Sequence, residues 1–112
     1  MGGQEKLGVL QGTLDLLILR TLQWGPQHGH GIGQVIRAKS DGVLQLEHGS
    51  LYPALHRLRR AGWIESEWGL TQNKQRAKFY RLTSRGKKQL TQQESKWQLF
   101  VKAMARVSSP QE

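Results

Sequence analysis

The stretch His48–Trp63, HGSLYPALHRLRRAGW, decides how the rest of the chain is read. At 100° per residue, Leu51, Ala54, Leu55, Leu58, Ala61 and Gly62 share one arc of a helix. Tyr52, Pro53, His56, Arg57, Arg59 and Arg60 share the opposite arc. A solvated helix face usually mixes its charge signs. This one carries three arginines and no acid, so it is expected to face a polyanion. Ser50 is the expected cap, Pro53 sits in the expected first turn, and Gly62 ends the helix.

Downstream, WIESEWGL and AKFYRLT alternate aromatic and β-branched residues and read as two strands of a hairpin. The polar stretch TQNKQR between them reads as a long, flexible, basic tip. Lys74, Arg76 and Lys78 lie on or beside it, with no acid from Leu70 to Arg81. Such a tip can straddle a phosphate strand or dip into a minor groove. Thr83 or Ser84 starts a last helix with Leu90, Trp97, Phe100, Val101 and Met104 along one side, and the final SSPQE is expected to fray.

Upstream, LDLLILRTLQW (Leu14 to Trp24) reads as a helix with leucines and Ile18 on nearly every side. A domain this small rarely surrounds a helix by itself, so a second subunit is the expected cover. GPQHGHGIGQVIRAKSDG holds a second helix over Gly29 to Lys39, stopped by Asp41-Gly42, and VLQLE (Val43 to Glu47) reads as a short strand. The expected class is mainly α with a small β-hairpin: a winged helix-turn-helix over residues 1–83, followed by a dimerisation helix and tail over 84–112. In that arrangement the acid-free face is meant for DNA. Arg can bond guanine bidentately in the major groove, and Tyr and His can reach a base or a phosphate. Arg59 and Arg60, farther along, are expected to meet backbone or solvent.

Composition agrees. With 17 Lys and Arg against 8 Asp and Glu the net charge is +9, and residues 48–88 hold ten of the cations against two acids, an excess of eight. There is no cysteine, which excludes disulfides and cysteine-ligated zinc and fits a reducing, cytoplasmic setting. No apolar run reaches the roughly 20 residues needed to span a bilayer, and MGGQEKLGVLQGT does not read as a secretion signal. His28 and His30 in HGHG suggest a metal at first sight, but that spacing between glycines more often marks a turn into a helix, and no metal or cofactor is expected. Asp15 and Asp41 look isolated, Glu65 and Glu67 sit between strand aromatics, and no nucleophile and base come together, so no enzyme is expected. Trp97 reads first as packing; paired Trp97 rings at a dimer seam could instead sandwich a flat apolar effector. An RNA-binding sheet would expose stacking aromatics, yet Trp63 and Trp68 more simply pack the hairpin on the third helix. A protein-interaction module is the other rival, and the basic wing argues against it.

The stretches LQGTLDLLILRTL, GPQHGHGI, GSLYPALHRLRRAGWI, EWG and RAKFYRLTSRGKKQL resemble the PadR family of bacterial transcriptional regulators, in its short form, from about Leu10 to Leu90. The resemblance implies a dimeric winged-helix repressor whose third helix enters the major groove of double-stranded DNA. It also implies a C-terminal helix that meets the partner's first helix. Ser50, Tyr52, Pro53, His56 and Arg57, with Lys74, Arg76 and Lys78 in the wing, then fall on the family's DNA-facing positions. Leu14, Leu17, Ile18, Leu90, Trp97, Val101 and Met104 are the expected dimer contacts. The chain departs from the family at His30, where a tyrosine is frequent, and at His48, where an acid is common.

Overall fold

The computed structural model describes residues 13–110, in the order α1 (Leu14–Leu22), β1 (Gln27–His28), α2 (Gly29–Lys39), α3 (His48–Arg60), β2 (Ile64–Leu70), β3 (Arg76–Leu82) and α4 (Ser84–Ser108). The readings made on the stretch ahead of Thr13, on the His48 side chain and on the last two residues lie outside the described residues. The class is the expected one: four helices and a small antiparallel sheet. Among the described residues no helix is long and apolar enough to cross a membrane.

The apolar arc read from the sequence is the one α3 buries. Leu51, Ala54, Leu55 and Leu58 meet Leu16, Ile18, Leu19 and Leu22 of α1, Ile32 and Ile36 of α2, Ile64 and Tyr80 of the sheet, and Leu90 of α4. Gly62 ends α3 through a left-handed turn (φ 81°), with its N–H on the Arg59 carbonyl and the Trp63 N–H on that of Leu58. The start of α3 differs from expectation. Extended Glu47, not Ser50, is the cap residue, and its carbonyl accepts the N–H groups of Ser50 and Leu51. Ser50 therefore lies inside the helix and Pro53 beyond its first turn, where the missing N–H removes one ladder bond.

Its own chain does not bury helix α1 on all sides. Leu14 and Leu17 remain half-buried, and the helix stops at Leu22, which leaves Trp24 largely in solvent. Ile18, expected at the dimer seam, is 0% exposed and enclosed by its own chain; Leu90 is likewise buried. Neither has surface to offer a partner.

The third strand is also not where the sequence put it. Gln27 and His28 pair with Tyr80 and Phe79, so the sheet runs β1-β3-β2. Val43–Glu47 forms no strand of this sheet: Leu44 makes an isolated bridge, its N–H bonds to the Ser40 hydroxyl, and Leu44 and Leu46 pack against the core. Asp41 takes the left-handed turn after α2 (φ 54°), and the Gly42 N–H reaches back to the Arg37 carbonyl.

One junction ties α3, the hairpin and α4 together. The Thr83 hydroxyl donates to the Gly62 carbonyl at 2.7 Å and accepts the Gly86 N–H at 3.0 Å, which caps α4. The Thr83 N–H bonds to the Trp63 carbonyl at 3.1 Å. A Cβ on Gly86 would lie 1.9 Å from that carbonyl oxygen, so only glycine lets α4 start this close.

Candidate nucleic-acid interface

The exposed side of α3 divides into two stripes set by helical spacing. Tyr52, His56 and Arg59 form one, and Pro53, Arg57 and Arg60 the other. The first borders the sheet. The Tyr52 ring leans over Gly29 at the start of α2, where a Cβ would meet it at 2.7 Å, yet the residue stays 45% exposed. Arg59 donates to the Ser66 hydroxyl of β2 at 3.4 Å and also acts on buried Tyr80. Burial pushes the Tyr80 phenol above its ordinary pKa, and the Arg59 charge opposes that shift.

The second stripe faces α1. Arg57 is paired with Asp15 at 2.5 Å, so that acid is not isolated. The pair is half in solvent and of little worth to stability. Ser50 is exposed near the start of α3.

In the hairpin the register sorts the charges. Ile64, Ser66, Trp68 and Leu70 lie opposite Leu82, Tyr80, Lys78 and Arg76, and side chains of directly opposed residues share a face. The inner end of this face, Ile64 and Tyr80, is core. Its outer end is solvent-exposed and carries Trp68 with two cations: the Arg76 guanidinium lies 4.8 Å from the ring centroid and the Lys78 ammonium 5.7 Å. Trp68 was expected to pack the hairpin on α3; it is instead 58% exposed, one step beyond the Ser66 that meets Arg59. Trp63 does pack against the core. The opposite face holds both acids: Glu65 bonds Arg81 at 2.7 Å, and Glu67 lies 3.9 Å from the same guanidinium. Both carboxylates are thereby kept off the Trp68 side.

The tip is closed by hydrogen bonds across its base. Thr71 bonds Gln75 at 2.9 Å through the backbone and accepts the Gln75 N–H on its hydroxyl, while the Lys74 N–H closes a turn on the Thr71 carbonyl. Arg76 opens β3 rather than ending the tip, and Lys78 lies within that strand as expected. Lys74 adopts φ 61°, a conformation that glycine fills more easily.

The HGHG segment acts as a turn into a helix. His28 caps α2 by accepting the Gly31 N–H on Nδ1 at 3.0 Å, and its ring meets Phe79 edge-on at 5.4 Å. Phe79 in turn lies across Gly69, where a Cβ would come within 2.9 Å of its ring. The wing is thus packed onto the start of α2 by aromatic contacts. On α4, Arg20 pairs with Glu94 at 2.9 Å, and Trp97 is half-buried against the core with Phe100 at 5.9 Å. Phe100, Val101, Met104 and Val107 are exposed.

A helix-turn-helix followed by a hairpin whose cations flank the open stripe of its second helix defines a winged-helix DNA-binding protein. The chain belongs to the Transcriptional regulator PadR-like family, whose pattern matches residues 18–92. An uncharacterized protein of Lysinibacillus sphaericus is 30% identical over 89 residues, which is 80% of this chain and 82% of that one. A transcriptional regulator from Clostridium thermocellum superposes with a TM-score of 0.78 at 33% identity, over 86% of this chain and 93% of that one. A PadR family transcription regulator from Clostridium difficile R20291 superposes at 0.76 and 28% identity, over 88% and 100%.

Proposed function

We propose that this transcriptional regulator is a cytoplasmic, non-enzymatic repressor that binds an inverted-repeat operator as a homodimer, with α3 in the major groove and the wing on the flanking backbone. The observation that carries the reading is the exposed, acid-free stripe Tyr52, His56 and Arg59, joined through Arg59 to Ser66 of the hairpin whose same face carries Lys78 and Arg76, with Lys74 at its tip. Ser50, Pro53 and Arg57 border it. Support for the dimer comes from α4: residues 98–108 are all exposed, and Phe100, Val101 and Met104 continue the stripe that Trp97 begins. A second copy would cover them together with half-buried Leu14 and Leu17, with residues 84–112 as the dimerisation arm. The packing of Trp97 against its own core favours a structural role for that ring over an effector sandwich.

The test begins with bound fragments selected from a random DNA pool, followed by His56→Ala on the selected site and on random DNA at one salt concentration. His56 is the cleaner probe because Tyr52 also supports α2. The expected loss is about 1–3 kcal/mol on the selected site and much less on random DNA. Half-sites should lie about one helical turn apart. Full retention of discrimination would remove α3 as the reader, and a folded full-length monomer in sedimentation would remove the dimer.

A further inference from the structure

We infer that Trp68 is a positioning residue of the wing: its indole fixes the direction of Arg76 and Lys78, so that both cations are already aimed when DNA arrives. The inference rests on the DNA-binding reading above.

Three observations combine. First, the register places all three residues on one hairpin face, with Lys78 directly opposite Trp68 and Arg76 on the next pair. Second, both cations lie within cation–π range of the same ring, at 4.8 and 5.7 Å from its centroid. Third, this ring is 58% exposed, although it is large and apolar and burying it would be favourable.

Free arginine and lysine side chains sample many rotamers, and binding a phosphate freezes them at an entropic cost. Stacking on a fixed ring removes much of that freedom beforehand, which raises affinity without adding charge. The two acids of the hairpin cannot compete for these cations, because Glu65 and Glu67 lie on the other face and engage Arg81. The wing therefore separates two roles that a single surface lysine combines: the cation supplies attraction, and the ring supplies direction.

The test is a double-mutant cycle on full-length protein with Trp68→Leu, Arg76→Ala and the pair, measured on the selected DNA site across a salt series. Trp68→Leu should weaken binding by about fivefold for each wing engaged, the scale of the rotamer freedom that one long side chain loses on binding. Its salt slope should match the wild type, because no charge is lost. In the Arg76→Ala background the same leucine should have a clearly smaller effect, and Trp68→Phe should restore most of the affinity. In DNA-free protein, the ring-current shifts of the Arg76 and Lys78 side-chain protons should disappear in Trp68→Leu and persist in Trp68→Phe. These shifts are read without DNA, so they test the stacking even if the protein binds no DNA at all. Strictly additive effects would mean that the indole touches DNA itself, and would overturn the positioning role. Unchanged affinity in Trp68→Leu, or unshifted protons in the wild type, would also overturn it. If DNA binds but Arg76→Ala changes nothing, the wing's part falls while α3, tested through His56, stands apart.

Discussion

Replacing Gly86 with alanine sets two effects of opposite sign against each other. Helix propensity alone makes alanine more favourable by about 1 kcal/mol in a helix. The added Cβ, however, would sit 1.9 Å from the Trp63 carbonyl oxygen, more than an ångström inside any tolerable contact, and the obstacle is backbone rather than a movable side chain. The first turn of α4 must move away. That movement stretches the Gly86–Thr83 cap and the Thr83 bonds to Gly62 and Trp63. Overpacking costs about 1–3 kcal/mol and loss of a cap about 0.5–2. After subtracting the propensity gain, the net loss should be about 0.5–4 kcal/mol. For a chain of this size that lowers the melting temperature by roughly 2–25 °C. Gly49→Ala is the control: it lies in α3, nothing approaches its Cβ position, and the same propensity term should leave stability unchanged or raised by up to about 1 kcal/mol. Thermal denaturation followed by circular dichroism distinguishes the two variants. A Gly86→Ala protein that melts at or above the wild-type temperature would refute the steric reasoning.

Leu55 is fully buried among α1, α2 and the sheet, so Leu55→Ala should lose about 2–5 kcal/mol in urea denaturation and leave DNA discrimination by the folded fraction unchanged. Lys74→Gly should act in opposite directions on two assays. Relief of the left-handed strain stabilises the fold by about 1 kcal/mol, while loss of the cation weakens binding to all sequences and lowers the salt slope by about one unit per wing. Asp15→Asn releases Arg57; binding to random DNA should strengthen severalfold at low salt, with stability lowered by at most about 1 kcal/mol. Unchanged affinity there would place Arg57 away from the DNA.

What could be read in advance follows from the range of the interactions involved. The apolar arc of α3, the stripe of α2 and the alternation of the hairpin are local patterns, and the fold class came from them. Strand β1 is two residues long and has no period to detect; only the edge of β3 makes Gln27 and His28 a strand. Ser50 carried the residue type of a cap, but the extended backbone at Glu47 moved the helix start three residues earlier than that reading implied. The Arg57–Asp15 pair joins positions 42 residues apart, beyond any spacing rule. The cations of the wing were visible as a cluster, whereas their sorting onto one face against Arg81 on the other needed the register. Trp68 illustrates the same limit, since an aromatic in a strand is more often core than surface.

The Thr83 junction has a geometric consequence for operator choice. A single hydroxyl joins the last turn after α3 to the first turn of α4, so a tilt of α4 small enough to keep these bonds is passed on to α3. As a 25-residue helix, α4 is a lever about 37 Å long, and a tilt of about 5° at its base displaces its far end by about 3 Å. In a dimer clamped along the distal half of α4, that angle is converted into the separation of the two recognition helices, and about 3 Å is close to one base-pair step of DNA. Changes at residues 83–86 should therefore alter which half-site spacing is accepted before they alter which bases are read.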